Sequence, residues 1–260
     1  MELSSKSVGL ALSGGGSKGI AHAGVLKFLV EQGIEPCCIS GSSAGAIVGT
    51  LYAFGKKPEE ILDFFKSIYF FHWKHFTFKK PGIVDSESFK KYFEDIFGEH
   101  TMLNQLKIPI YVTATDMVLG KLKIFSPDTK VVDAVLASTA VPGMISPYAI
   151  KDKLYSDGGI LNHFPTDLLQ GKCDSIIGVY VSPVQKIEAK NLNSIKSVTY
   201  RALELLTANS NLQKFNHCDL IIEPKELTNF STFETNKAKM DLIFETGYNE
   251  AKKAFQNFVI

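Results

Sequence analysis

The chain has 260 residues, 45% of them apolar, and no polar low-complexity tract, which is enough material for one large α/β core or two small ones. Its 28 basic and 27 acidic residues leave a formal net charge of +1. That balance excludes any electrostatic ground for nucleic acid as a partner and any strong general pull toward anionic membranes, although a local patch can still act.

No run approaches the roughly 18 apolar residues of a spanning helix. The polar opening Met1-Glu2-Leu3-Ser4-Ser5-Lys6 and the short apolar run after it do not make a signal peptide. The four cysteines, Cys37, Cys38, Cys173 and Cys218, lack metal-ligand spacing. They read as reduced buried thiols of a cytoplasmic protein, with Cys37 and Cys38 inside a buried strand and no metal expected.

The first element is a buried strand over Val8–Leu12, set before a glycine cluster. Helical periodicity then runs from Lys18 to Gln32, and Gly33 is placed to stop the helix in the left-handed conformation. A second buried strand spans Cys37–Ser40, and a helix from Ala44 to Phe54 ends at Gly55. Strand–helix–strand–helix order favours a parallel sheet covered on both faces.

Pro58–Phe65 reads as another helix, and Asp85 or Ser86 caps the helix that carries Phe89, Tyr92, Phe93, Ile96 and Phe97. Strands follow at 108–115 and 122–125, then a helix at 131–137, and buried strands at 176–181 and 220–222. The segments near 194–215 and 237–258 are amphipathic and helical. With no repeat and no Gly-, Pro- or Ser-rich linker, residues 1–260 read as one domain.

Two glycine-rich turns carry chemistry. Gly41-Ser42-Ser43-Ala44-Gly45 matches G-x-S-x-G between a strand and a helix, the setting in which a sharp turn exposes a nucleophilic serine hydroxyl. Gly14-Gly15-Gly16-Ser17-Lys18-Gly19 also follows a strand and opens a helix. It satisfies the dinucleotide pattern G-x-G-x-x-G, which further needs an acid at the end of the second strand. That strand instead runs into Gly41-Ser42-Ser43. Successive backbone N–H groups can equally hold a developing oxyanion, and a serine on the neighbouring strand end would supply one.

A serine nucleophile needs a base. Of the six histidines, His22 lies inside the first helix as a packed residue, and His163 is the best placed because it closely follows Asp157-Gly158-Gly159. The Asp-Gly-Gly step is the stronger signal. Two glycines let the chain turn hard around Asp157 at a strand end, where sites gather in parallel α/β sheets. The plain alternative is a turn aspartate. The stretch 68–80 is the most aromatic of the chain and holds its only tryptophan, Trp73. It reads either as a connecting segment packed on the core or as a flap over an acyl-chain entrance, with Lys74, Lys79 and Lys80 able to meet lipid phosphates.

Taken together, these residues resemble the patatin-like phospholipases, in particular their compact bacterial members. Four blocks carry the likeness: Gly14–Gly19 with Ala21–Leu26 after it; Gly41–Gly45, with Ser42 where the family usually has threonine; Ala137–Gly143 with Pro142; and Asp157-Gly158-Gly159. A looser likeness continues through Asp219–Pro224. The resemblance implies a three-layer α/β/α sandwich with a mainly parallel sheet and a Ser–Asp dyad without catalytic histidine. Carried over, Ser43 is the nucleophile, Asp157 the base and Gly14, Gly15, Gly16, Ser17, Lys18 and Gly19 the oxyanion loop, with Gly41, Gly45, Pro142, Gly158 and Gly159 as motif support.

The implied activity is phospholipase A, lysophospholipase or carboxylesterase, with no cofactor and at most transient contact with a membrane surface. Acyl transfer from the same acyl-enzyme, or a non-catalytic regulatory protein keeping the fold, are the alternatives. Lys18 stands where many members carry arginine, which puts a bidentate anion contact there in question.

Overall fold

The computed structural model describes residues 7–68, 77, 80–211 and 213–258. Five consecutive buried residues, Val8–Leu12, form β1 near the middle of an eight-stranded sheet. A strand buried on both faces has no alternation to show, which is why this one reads as a continuous apolar run. Parallel neighbours flank it: β2 (Cys38–Ser42) on one side and β7 (Ser175–Val179) on the other.

Beyond β2 lies β3 (Ile110–Asp116), also parallel, and beyond β7 lies the parallel β8 (Leu220–Ile222). The far side is antiparallel: β4 (Lys121–Ile124) and β6 (Lys153–Asp157) both pair with β3, and β5 (Tyr148–Ile150) pairs with β6. The order β5-β6-β3-β2-β1-β7-β8 reverses at β1, so the carboxyl ends of β1, β2 and β7 form a crevice of the kind that holds ligands in doubly wound sheets.

The helices cover the sheet as α1 (Ile20–Glu31), α2 (Ala44–Phe54), α3 (Pro58–Ser67), α4 (Lys90–Phe97), α5 (Val131–Ser138), the single turn α6 (Gly159–Asn162), α7 (Ile195–Ser210) and α8 (Lys237–Phe258). The mostly parallel sheet with helical layers is the expected α/β/α architecture. Helices α1 and α8 pack at very close range. A Cβ on Gly24 would lie 2.0 Å from the Phe244 carbonyl oxygen, and one on Gly247 would lie 2.1 Å from that of Ala21.

Several boundaries move. The first helical pattern opens with a 3-10 turn, Gly16–Gly19, before α1 begins. Cys37 is exposed and precedes β2 rather than lying in a buried strand; Cys38 is buried within it. Helix α7 stops at Ser210, short of Phe215, and a separate 3-10 turn covers Lys214–His217. Asp85 does act as a cap, its side chain accepting the Glu87 N–H at 3.0 Å.

The aromatic stretch 68–80 lies outside the described residues except for Ile68, Thr77 and Lys80. Of these, Lys80 is held by Asp85 and Glu87 at 2.9 and 3.1 Å, so its charge is satisfied within the protein.

Candidate active site

Ser43 occupies the turn between β2 and α2 with φ 53° and ψ −121°. A non-glycine residue held at positive φ costs on the order of 1–3 kcal/mol and persists only where its surroundings impose it. Here the imposition is tight packing. A Cβ on Gly45 would lie 2.3 Å from the Leu12 carbonyl oxygen, and one on Gly41 would lie 2.6 Å from that of Gly45. With small residues on both sides, α2 starts directly against the end of β1. The Ser43 carbonyl accepts the N–H groups of Ala46 and Ile47 at 2.9 and 3.1 Å, and the Ser43 N–H donates to Ser138 Oγ at 2.9 Å.

Asp157 arrives differently from the expected parallel strand end. Strand β6 is antiparallel to β3, so it begins past the carboxyl end of β3 and runs back toward Ser43. It terminates with Asp157 opposite Ala114, one step past the Thr113–Ser42 pair. The Asp157 backbone is fixed on both sides: its N–H donates to the Ala140 carbonyl at 3.0 Å, and its carbonyl accepts from Thr115 Oγ1 at 2.9 Å. The carboxylate accepts the Gly159 N–H at 2.7 Å, and the Ser43 hydroxyl lies near enough to favour its charged form. Burial pushes its pKa up to about 6, and these two neighbours pull the other way. Gly158 donates from its N–H to the Ser138 carbonyl at 3.4 Å.

The glycine loop after β1 is braced at almost every polar group. The Gly14 N–H donates to the His163 carbonyl, the Ser17 N–H to the Thr232 carbonyl and the Lys18 N–H to the Gly15 carbonyl. Ser182 Oγ donates to the Gly14 carbonyl, and His22 Nε2 lies 2.8 Å from the Ser13 carbonyl, an acceptor only, so that nitrogen carries the proton. What remains are the N–H groups of Gly15 and Gly16, which have no hydrogen-bond partner among the described residues and line the same cavity as Ser43 and Asp157. Of the Gly14–Gly19 loop, then, two donors have no partner among the described residues, while those of Gly14, Ser17 and Lys18 hold the loop in place. Gly16 has φ 58°, and a Cβ there would meet the Thr232 carbonyl oxygen at 2.3 Å.

The Lys18 side chain also lines the cavity, is only 7% exposed, and makes no ion pair with any described residue. Burial lowers its pKa, and the carboxylate of Glu204 partly offsets this. His163 borders the cavity with its ring against Gly14, where a Cβ would lie 2.6 Å from its Cε1. Burial depresses the His163 and His22 pKa values to about 4, so both rings are neutral near pH 7. The other described histidines lie apart: His100 beside Glu99, and His217 against Thr166.

Two cavities meet at Ser43. The larger, about 120 Å³, is mixed in character, with Lys18, Asp157, Tyr180, Tyr200 and Glu204 on its walls, and Pro142 and Gly159 beside them. The smaller, about 50 Å³, is walled by Ile47, Phe65, Ile68, Phe89, Phe93 and Ile145. Val141, Thr232 and Phe233 border both. Thr232, Phe233 and the α7 residues Tyr200 and Glu204 carry no sequence motif; only the tertiary fold brings them to the site. Ser138 could have been singled out, because it lies inside the third of the resembling blocks.

Comparison with known proteins finds a family model, relatives and a solved structure similar to this chain. The family model for patatin-like phospholipase matches residues 10–169. An uncharacterized NTE family protein of Mycobacterium tuberculosis is 35% identical over 180 residues, covering 65% of this chain and 47% of that protein. A patatin-like phospholipase domain-containing protein of Caenorhabditis elegans is 27% identical over 203 residues, 73% of this chain and 14% of that one. The chain thus spans about half the length, or less, of these curated relatives. Among solved structures, VipD from Legionella pneumophila superposes with a TM-score of 0.57 at 16% identity, over 97% of this chain and 67% of that one.

Proposed function

Because this chain belongs to the patatin-like phospholipase family, we propose that it hydrolyses acyl esters of lipids or smaller carboxylic esters with Ser43 as nucleophile and Asp157 as base. One observation carries the reading. A strained serine sets its hydroxyl beside a buried carboxylate, and both line the same cavity as Gly15 and Gly16, whose N–H groups have no partner among the described residues. No histidine needs to enter, since the depressed pKa of His163 leaves it a poor proton acceptor beside Asp157.

In the first step the Ser43 hydroxyl attacks the ester carbonyl and its proton passes to Asp157. The carbonyl oxygen becomes an oxyanion held by the Gly15 and Gly16 N–H groups, donors fixed before the reaction and therefore needing no reorganisation during it. As the tetrahedral adduct collapses, the C–O bond to the alcohol breaks and Asp157 returns the proton to the leaving alkoxide. Water then attacks the acyl-enzyme, with Asp157 taking its proton, and the acid leaves as Ser43 regains its hydrogen.

The division of the site supports an orientation for the substrate. The apolar lobe bounded by Phe65, Phe89 and Phe93 suits the acyl chain. The lobe with Lys18 and Glu204 suits the alcohol, and an anionic group on that alcohol would give the buried ammonium of Lys18 the ion-pair partner it lacks among the described residues.

The test is a panel of p-nitrophenyl esters from acetate to long chain, beside phospholipids and lysophospholipids, run with a Ser43→Ala control and with fluorophosphonate labelling. Ester turnover and labelling that both vanish in Ser43→Ala support the reading. An intact protein that neither turns over any ester nor takes the label defeats it.

A further inference from the structure

Helix α7 has its polarity reversed. At 100° per residue, Tyr200, Leu203, Glu204 and Thr207 share one face, and these residues line the cavity at Ser43. The opposite face carries Ile195, Val198, Leu205 and Leu206, with Ile195 and Leu206 89% and 71% exposed. A surface helix ordinarily turns its apolar face inward. Here the mixed face lines the active cavity and the apolar face meets solvent.

A second exposed apolar group lies at the β3–β4 turn. Between β3 and β4 the chain turns through Met117, Val118 and Leu119, with Val118 and Leu119 72% and 60% exposed. The turn is rigidly built. The buried Asp116 accepts the N–H groups of Val118 and Leu119 on one carboxylate oxygen at 3.1 and 2.9 Å, and Gly120 closes it at φ 63°. The Met117 N–H donates to the Leu154 carbonyl at 2.9 Å, which ties the turn to the start of β6. Turn residues are ordinarily polar, and a braced turn that displays three large apolar side chains departs from that rule. Helix α6, which follows Asp157 and carries the exposed Leu161, packs against both α7 and β4 and so joins the two groups beside the cavity.

The exposed charge around the turn has a basic excess. Lys121 pairs with Asp116 across the β3–β4 ladder, and Lys151 and Lys153 stand on the β5–β6 turn beside Leu154; all three are exposed. None of the three forms an ion pair with a described residue within 4 Å, while Asp152 and Asp128, the latter within electrostatic reach of Lys151, are exposed acids among them. Apolar side chains flanked by an excess of exposed lysines match the boundary of an anionic bilayer, where basic groups meet lipid phosphates and apolar tips enter the acyl region. Among the described residues no helix is long and apolar enough to cross a membrane.

We infer that the β3–β4 turn and the outer face of α7 form a docking surface for an anionic lipid bilayer, set on either side of the active cavity. Docked there, the protein would take its ester from the bilayer through an entrance next to Asp157 and α7. The inference rests on the lipid-ester reading only for its purpose; the binding itself can be measured without turnover.

The experiment uses the full chain as the inactive Ser43→Ala protein. Co-sedimentation is measured with vesicles of phosphatidylcholine alone and with vesicles of equal phosphatidylcholine and phosphatidylglycerol. The Ser43→Ala protein is expected to bind the mixed vesicles well and the neutral ones weakly. Val118→Ser with Leu119→Ser, and separately Ile195→Ser with Leu206→Ser, should each weaken binding to mixed vesicles by about tenfold or more. Lys121→Gln with Lys153→Gln should weaken it by roughly fivefold per lysine and leave the weak neutral binding unchanged. The same surface changes in the Ser43 protein should leave hydrolysis of soluble p-nitrophenyl acetate unaltered, which verifies folding. Failure of the intact protein to bind mixed vesicles, or normal binding by both apolar variants, overturns the inference. So does a dimer in sedimentation that the apolar variants convert to monomer, since the face would then belong to a second copy. A chain that binds vesicles as expected but hydrolyses no ester would leave the docking surface standing and remove the lipid-ester reading.

Discussion

The hydroxyl of Ser138 receives the backbone N–H of Ser43 at 2.9 Å, and the carbonyl of the same Ser138 receives the N–H of Gly158 beside Asp157. One residue at the end of α5 thus ties the serine turn to the aspartate turn. It also removes the Ser43 amide from the set of donors that could face an oxyanion. Replacing Ser138 by Ala leaves the buried Ser43 N–H without an acceptor, a loss of about 1–3 kcal/mol. The expected result is a lower Tm and a fall in kcat on the order of tenfold or more, with KM little changed, because the residue positions the site without touching substrate. Steady-state kinetics beside thermal unfolding test this. The expected fall in Tm with normal kcat would reduce Ser138 to a packing residue.

Ser43→Ala and Asp157→Asn should each lower kcat/KM for any accepted ester by at least about a thousandfold while the protein stays folded. His163→Ala is expected to cost far less. A folded Asp157→Asn protein with near-normal rate would break the proposed pairing, and a loss in His163→Ala equal to that in Ser43→Ala would point to a histidine-based triad.

The pH dependence follows from the burial of Asp157. Its carboxyl titrates at about 6 in the folded protein against 3.8 ordinarily. As a base it works only when ionised, so the rate should rise as pH passes upward through about 6. Stability runs the other way. The raised folded value means that the protonated carboxyl suits the fold, so this contribution is full below pH 3.8 and is lost as pH rises through about 6. The gap corresponds to up to ~3 kcal/mol. Asp157→Asn should therefore raise Tm above pH 6 and change it little near pH 4. A variant equally stable to the wild type at pH 8 would contradict the assigned burial cost.

Gly16→Ala must place a methyl group 2.3 Å from the Thr232 carbonyl oxygen at a backbone φ of 58°. The loop can relieve that only by moving, which displaces the two free N–H donors. A drop in kcat on the order of 10²-fold is expected, with a smaller change in KM. Normal kcat in a variant that retains its fold would remove these glycines from oxyanion stabilisation.

Ile47 lies in the first turns of α2 on the wall of the apolar lobe. Ile47→Phe should fill part of that lobe, cut hydrolysis of long-chain p-nitrophenyl esters by about tenfold or more, and spare the acetate ester. Overpacking of this kind costs typically ~1–3 kcal/mol in stability, so the length profile rather than the absolute rate is the readout. An unchanged profile would mean that the acyl chain runs through the other lobe.

How much of this was legible in sequence depends on the range over which each element is determined. The helix Ala44–Phe54 and its stop at Gly55, the strand Leu220–Ile222 and the helix Lys237–Phe258 are set by local pattern, and the structure has them at those bounds. Strand β5 is three residues long and β6 is largely polar at its start, so neither offers a period to read. The antiparallel approach of Asp157 depends on that pairing and could not be read without it. The Ser43 and glycine-loop turns announced themselves through residue type. The partners that hold them, Ser138, Thr232 and Glu204, come from segments far away in the chain, and no local rule links such segments.

The β1–β7 pairing carries a consequence for biosynthesis. Val8 reaches its partner Ser175 only after the whole motif-bearing stretch has been made, because β1 lies between β2 and β7 in the sheet. A nascent chain holding every residue from Gly14 to Asp157 still presents β1 with one bare edge, unable to complete its hydrogen-bond ladder. Such an edge is open to pairing with other chains. During vectorial synthesis at about 5–20 residues per second, the interval between emergence of β1 and closure by β7 lasts roughly ten to thirty seconds. Over that window β1 keeps an unpaired edge, and any fragment that ends before β7 is expected to aggregate instead of folding into a smaller active unit.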